Sequence, residues 1–392
     1  MPVIEEPVVR LPRFALWELG FRPFYLLASV FAALSIPLWA LQFSGLLGHV
    51  YLAGPVWHAH EMLFGFVLAV VVGFLFTAGR NWSNQPTPTG PVLGGLAVLW
   101  IAGRILVLTP FAWTAGLVNV AFPLAAAIAL AIPFYRGRNQ RNYFFVGLLV
   151  AMSVASGFVH LTQLGVVKAP PWAGLQVALD MVLFIMAVMG GRVIPMFTNN
   201  GVPGAQSTRS PAVEKAALGS VLLLVAADLA GLKGPPMALL AAAACIAHAA
   251  RSLLWKPWKT AKVPLVWALQ VAYLWVPVHL ALRSLAALDV IPLSSATHAL
   301  TVGAAGGLII GMMTRTARGH TARPLRADHY DTVCYLLVLG AALIRVVLPL
   351  VMPSMTIVAV QGSAALWSAA FGLYAVRYWS MLTQSRLDGK SG

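Results

Sequence analysis

The chain reads as apolar runs of about 20 residues separated by short clusters of proline, glycine, asparagine and charge, and runs of that length predict helices that cross a bilayer. They fall near residues 23–46, 57–79, 92–110, 113–134, 143–166, 172–197, 212–231, 235–253, 264–288, 297–314, 327–350 and 354–380, which makes about twelve spans. Lipid offers no partner to a backbone amide, so each run must satisfy its own hydrogen bonds as a helix. Two junctions, Thr109-Pro110 and Lys233-Gly234-Pro235-Pro236, are so short that either could be a kink or a re-entrant turn instead. The expected fold is an all-α polytopic transmembrane helix bundle, a single domain over residues 1–392.

Composition agrees. Hydrophobic residues make up 60% of the chain and charged residues 9%, too few charges to cover a water-soluble domain. A net charge of +15 raises nucleic acid as a partner, but no basic stripe interleaved with aromatics exists. The cations gather instead in alternate loops. With both termini cytoplasmic, the segments holding Arg22, Arg80, Arg138, Arg192, Lys259 and Arg323 all face inward, and the outer side keeps only Lys168, Lys233 and Arg283. This positive-inside asymmetry supports span count and orientation together. Glu5, Glu6, Arg10 and Arg13 precede the first span with no apolar h-region, so that span is expected to serve as the insertion signal. Cys245 and Cys334 match neither a disulfide nor a zinc pattern.

Orientation sorts the nine histidines by depth. His58 and His60 open the second helix from the outer side, His160 lies near the outer end of the fifth, and His298 opens the tenth. His279 sits about 13 Å inside the ninth. A histidine in lipid is costly unless it faces a cavity or a partner, and neutral imidazole suits haem iron and copper. Interfacial or capping histidines are the plainer alternative. On an α-helical wheel His58 stands over Glu61, Met62 and Gly65, His160 over Gly157 and Ser156, and His298 over Thr301, Ala305 and Met312. Such small faces leave room for a flat macrocycle, and they also serve plain helix packing. Residues two apart on a helix point about 200° away from each other, so His58 and His60 serve two centres or one centre and a proton-handling group. Glu61 is the candidate proton relay.

At the inner side the second, sixth and tenth helices end alike, in Gly79-Arg80-Asn81, Gly191-Arg192-Val193 and Thr314-Arg315-Thr316. That spacing permits three pseudo-repeated four-helix units. Arg192, Arg315 and Arg318 are candidates to bind a cofactor propionate or, more plainly, lipid head groups. Gly303, Gly307 and Gly311 predict close helix packing. No Walker loop, CxxCH, HExxH or serine-hydrolase elbow is present.

Taken together, Phe21-Arg22-Pro23-Phe24, His58-Ala59-His60-Glu61-Met62-Leu63-Phe64-Gly65-Phe66, Gly190-Gly191-Arg192-Val193-Ile194-Pro195, His298-Ala299-Leu300-Thr301, Met313-Thr314-Arg315 and Gly319-His320-Thr321 resemble the NnrS family. The resemblance implies a bacterial inner-membrane protein associated with nitric oxide, carrying b-type haem and copper. The helix spacing is also similar to that of haem–copper oxidases, but their His-Pro-Glu motif and adjacent histidine pair are missing, so oxidase chemistry is not implied.

Three readings follow. In the first, His58, His60, His160 and His298, with His279 next, bind haem and copper in the periplasmic half of the bundle, and the protein binds nitric oxide or reduces it. In the second, the histidines and Glu61 relay protons or bind metal in a transporter. In the third, a haem-based sensor or scaffold works without turnover.

Overall fold

The computed structural model describes residues 13–46, 51–52 and 54–390. The N-terminal stretch with Glu5, Glu6 and Arg10 lies outside the described residues. Each apolar run folds into one rod: α1 Phe21–Phe43, α2 Gly54–Ser83, α3 Gly90–Leu106, α4 Ala112–Arg136, α5 Tyr143–Gln163, α6 Trp172–Gly201, α7 Pro211–Leu229, α8 Gly234–Leu254, α9 Pro264–Ala287, α10 Leu293–His320, α11 His329–Val351 and α12 Thr356–Thr383. Among the described residues ten of these are long and apolar enough to cross a membrane. The two that fall short are α3 and α7. The 17 residues of α3 rise about 26 Å against a hydrocarbon core of about 30 Å, and α7 carries Glu214, Lys215 and Asp228. Both doubtful junctions are true turns between rods. The second uses Gly231 and Gly234 at φ +68° and +65°, a left-handed conformation that favours glycine.

Packing gives the repeat a physical form. α4 lies along α5, α8 along α9 and α12 along α1, so the last helix of each four-helix unit seats on the first of the next and α12 closes the ring. The second helix of each unit, α2, α6 and α10, packs toward the middle. Burial is highest in α2, where 78% of the most apolar stretch is enclosed, and is 61% in both α6 and α10 and 67% in α9, against 33% for α11.

The described ends of the chain meet at one face. The Ala15 N–H donates to the Thr383 carbonyl at 2.7 Å and the Ser385 N–H to the Arg13 carbonyl at 2.9 Å. Buried Arg22 donates to the carbonyls of Leu382 and Gln384 at 3.1 and 2.7 Å, satisfying oxygens that the last turn of α12 leaves without helical partners. Ends on the same face require an even number of passes.

Several sequence motifs turn out to pack helices. A Cβ on Gly191 would overlap the Arg251 guanidinium, and one on Gly190 would enter the Tyr273 ring. The space they leave lets Arg251 donate to the Ala187 carbonyl at 2.7 Å, the Tyr273 hydroxyl at 2.9 Å and Glu214 Oε1 at 2.9 Å. Gly307 and Gly311 face α9, where a Cβ would come within 2.7 Å of Ala272 and 2.8 Å of Leu269. The expected close packing is therefore present.

One local feature departs from the wheel expectation. Glu61–Val67 in α2 and Ala299–Gly306 in α10 are π-helical. The wider i→i+5 turn rephases every residue after it, so the α-helical stacks expected beneath His58 and His298 do not form as drawn. Such segments occur often at functional sites, and these two begin directly after His60 and His298.

Candidate metal centre

The five candidate histidines, His58, His60, His160, His279 and His298, lie at the end of the bundle opposite Arg80, Arg192 and Arg315. They do not form one cluster. Among the described residues no group of three or more His, Cys, Asp or Glu side chains could hold a metal ion together. Instead the histidines resolve into two pairs and a single residue.

The first pair joins α2 to α10. The His58 and His298 ring centres stand 6.3 Å apart with planes 10° from parallel. The His298 Nδ1–H donates to the Ser294 carbonyl at 2.6 Å, which leaves Nε2 as the nitrogen with a lone pair. Trp39 of α1 stacks on His58 at 4.8 Å and 15°, and His58 Nδ1 is buried without a hydrogen-bond partner.

The second pair joins α2 to α5. The rings of His60 and His160 approach to 4.8 Å at 78°. Their outer nitrogens are engaged: His60 Nδ1 donates to Glu61 Oε1 at 2.8 Å, and His160 Nδ1 is hydrogen-bonded to the Tyr51 hydroxyl at 2.9 Å. Both Nε2 atoms are buried with no partner. His58 and His60 therefore do serve opposite faces, as their spacing requires.

His279 repeats the pattern alone, its Nδ1–H donating to the Ala296 carbonyl of α10 at 2.8 Å while Nε2 is buried and unpartnered.

Glu61 is fully buried, and its charge is met by Arg104 of α3, which also reaches Asn119 of α4. Asn119 Nδ2 in turn donates to the Ala115 carbonyl at 2.8 Å. The carboxylate thus fixes His60, and α3 and α4 fix the carboxylate. Its Oε2 is buried and unpartnered. Sequence reasoning missed Tyr51, Asn119 and this use of Arg104. A signal for Arg104 existed: Glu61 is the only acid between Glu18 and Asp180, so a buried arginine on a neighbouring helix had one carboxylate to find.

Arg192 and Arg315 lie elsewhere. Arg315 is 17 residues along α10 from His298, about 25 Å at 1.5 Å per residue. Arg192 donates to Asn142 Oδ1 at 2.9 Å, and Arg315 sits 3.8 Å over the Phe197 ring. Arg318 is already bound by Asp331 at 2.6 Å and Asp328 at 2.7 Å.

Comparison with curated proteins finds no match. The family model described as NnrS protein matches residues 15–386, nearly the whole of this membrane bundle with both histidine pairs inside it. The chain belongs to the NnrS family.

Proposed function

We propose that this protein binds haem and copper at the histidine end of the bundle and acts on nitric oxide in the bacterial inner membrane, with that end toward the periplasm. Family membership supports a membrane protein related to nitric oxide. The observation that carries the metal assignment is the shared state of His60, His160 and His279: buried, oriented through Nδ1, and left with a free Nε2. A ligating histidine is ordinarily held this way through its second nitrogen.

Ring spacing supports a division of the metals between the two pairs. His58 and His298, with ring centres 6.3 Å apart and nearly parallel planes, would hold the haem iron. The rings of His60 and His160 approach to 4.8 Å and both leave Nε2 unpartnered. Imidazole suits copper, so this second pair would hold it.

Bound haem and copper would supply nitric oxide binding and electron exchange. The chain does the rest. Ser294 fixes the His298 tautomer, Glu61 and Tyr51 aim His60 and His160, and Trp39 shields one face of His58. Glu61 Oε2 is the free acceptor nearest the second pair and is proposed as the proton-handling atom. Arg192 and Arg315 are proposed as anion contacts of the inner surface, with lipid head groups as partners.

Metal analysis of the purified protein, followed by nitric oxide consumption with a supplied reductant, tests this. Consumption supports turnover, and stoichiometric binding without consumption supports a sensor. A folded, metal-free preparation that takes up a metal ion or protons across vesicles would favour the transporter and defeat the proposal.

A further inference from the structure

Between α2, α6 and α10 lies a cavity of about 100 Å³. Val67, Val71, Met186, Met189, Ala305 and Met312 define it, and apart from Tyr25 its walls are apolar. Its upper edge at Val67 is seven residues past His60, about 10 Å along the helix. It opens where both π-helical segments end.

Protein interiors normally close such spaces, because an unfilled void forfeits contacts along its whole lining. A partly open apolar space at the meeting point of the three central helices offers room for an apolar occupant. Water is a poor one, since it needs two to four polar partners and apolar cavities of about 150 Å³ stay dry while admitting benzene or xenon. At about 100 Å³ the space suits a molecule of a few heavy atoms.

We propose that this cavity is a binding site for a small apolar molecule, a diatomic gas, holding it between the lipid and the histidine end. Naming that gas nitric oxide rests on the function proposed above; the cavity's selectivity for small apolar molecules does not. Nitric oxide dissolves in apolar surroundings and would enter such a space from within the membrane.

Xenon is the probe. Pressurised with xenon, the wild-type protein is expected to bind the atom between α2, α6 and α10, as located by anomalous diffraction or by ¹²⁹Xe exchange. Val71→Phe and Met186→Phe, each checked for wild-type helicity and elution, should lose that site. His58→Ala should keep it, so failure of the haem reading and failure of this one are separable. In the holoprotein either filling variant should slow nitric oxide association several-fold while leaving the optical spectrum of the metal centre unchanged. No xenon in folded wild-type protein, undiminished xenon in both filled variants, or an ordered lipid tail in the space would overturn the proposal.

Discussion

His60 and His248 are both fully buried in the same bundle, yet their surroundings differ. At the arginine end, His248 Nδ1 accepts from the Tyr273 hydroxyl at 2.8 Å and its Nε2–H donates to the Ala217 carbonyl at 3.1 Å. At the other end, His60, His160 and His279 each satisfy one nitrogen and leave the other without a partner. A buried polar atom left unpaired costs about 1–3 kcal/mol, and this bundle accepts that cost three times on one side. Exposure alone would have ranked His248 and His60 as equals. The free nitrogen is the difference between the two ends on which the proposed metal assignment rests.

The largest effect should come from removing the charge that supports the histidine end. Arg104→Ala leaves Glu61 buried beside His60 without its counter-charge, and is expected to cost about 3–5 kcal/mol in unfolding measurements in detergent. The paired change Arg104→Met with Glu61→Met should recover most of it. A loss below about 1 kcal/mol would mean the pair is not what holds this end. Next, His248→Ala should cost about 1–3 kcal/mol, because Tyr273 and Ala217 lose their partner, with haem and copper content unchanged. His60→Ala and His160→Ala should abolish copper at a smaller stability cost than His248→Ala, because each gives up one hydrogen bond rather than two. Equal metal loss from all three variants would erase the contrast between the two ends.

Smaller effects sharpen it. Tyr51→Phe keeps the ring and removes the hydroxyl that aims His160, so copper affinity should fall about 10–100-fold in a competition assay with the haem spectrum unaltered. The mildest change tests the arginine end alone. Asp328 caps α11, where its side chain accepts from the Asp331 N–H at 3.0 Å. Burial pushes its carboxyl up, but that N–H together with Arg377 and Arg318 outweighs burial and holds it below its usual value. Its contribution is therefore complete above the ordinary carboxylate pKa of about 3.9 and is lost as pH falls through the lower folded value. Asp328→Ala should cost about 1 kcal/mol near neutral pH and flatten acid denaturation, with both metals retained.

Much of the fold was legible because lipid imposes simple rules. Twelve apolar runs became twelve rods, and the spacing of Arg80, Arg192 and Arg315 marked the three central helices. The histidines of one end were also identifiable, since charge asymmetry fixes which helix ends share a side. What stayed hidden depended on local geometry. The π-helical turns after His60 and His298 shift the facing residues by one position, which no α-helical wheel anticipates. Tyr51 lies in a loop, where periodicity carries no information. The division into two pairs arises from how α5 and α10 approach α2 from different sides, a property of the closed ring.

The metal proposal for the histidine end rests above all on His58 and His298, the residues that would hold haem iron. Optical spectra of purified wild-type, His58→Ala and His298→Ala proteins test it most directly. The account predicts Soret and α bands in the wild type that either substitution removes or converts to a different ligation state, while the helical content of each variant stays at the wild-type level. A folded wild-type protein without haem bands, or bands identical in all three proteins, would contradict it.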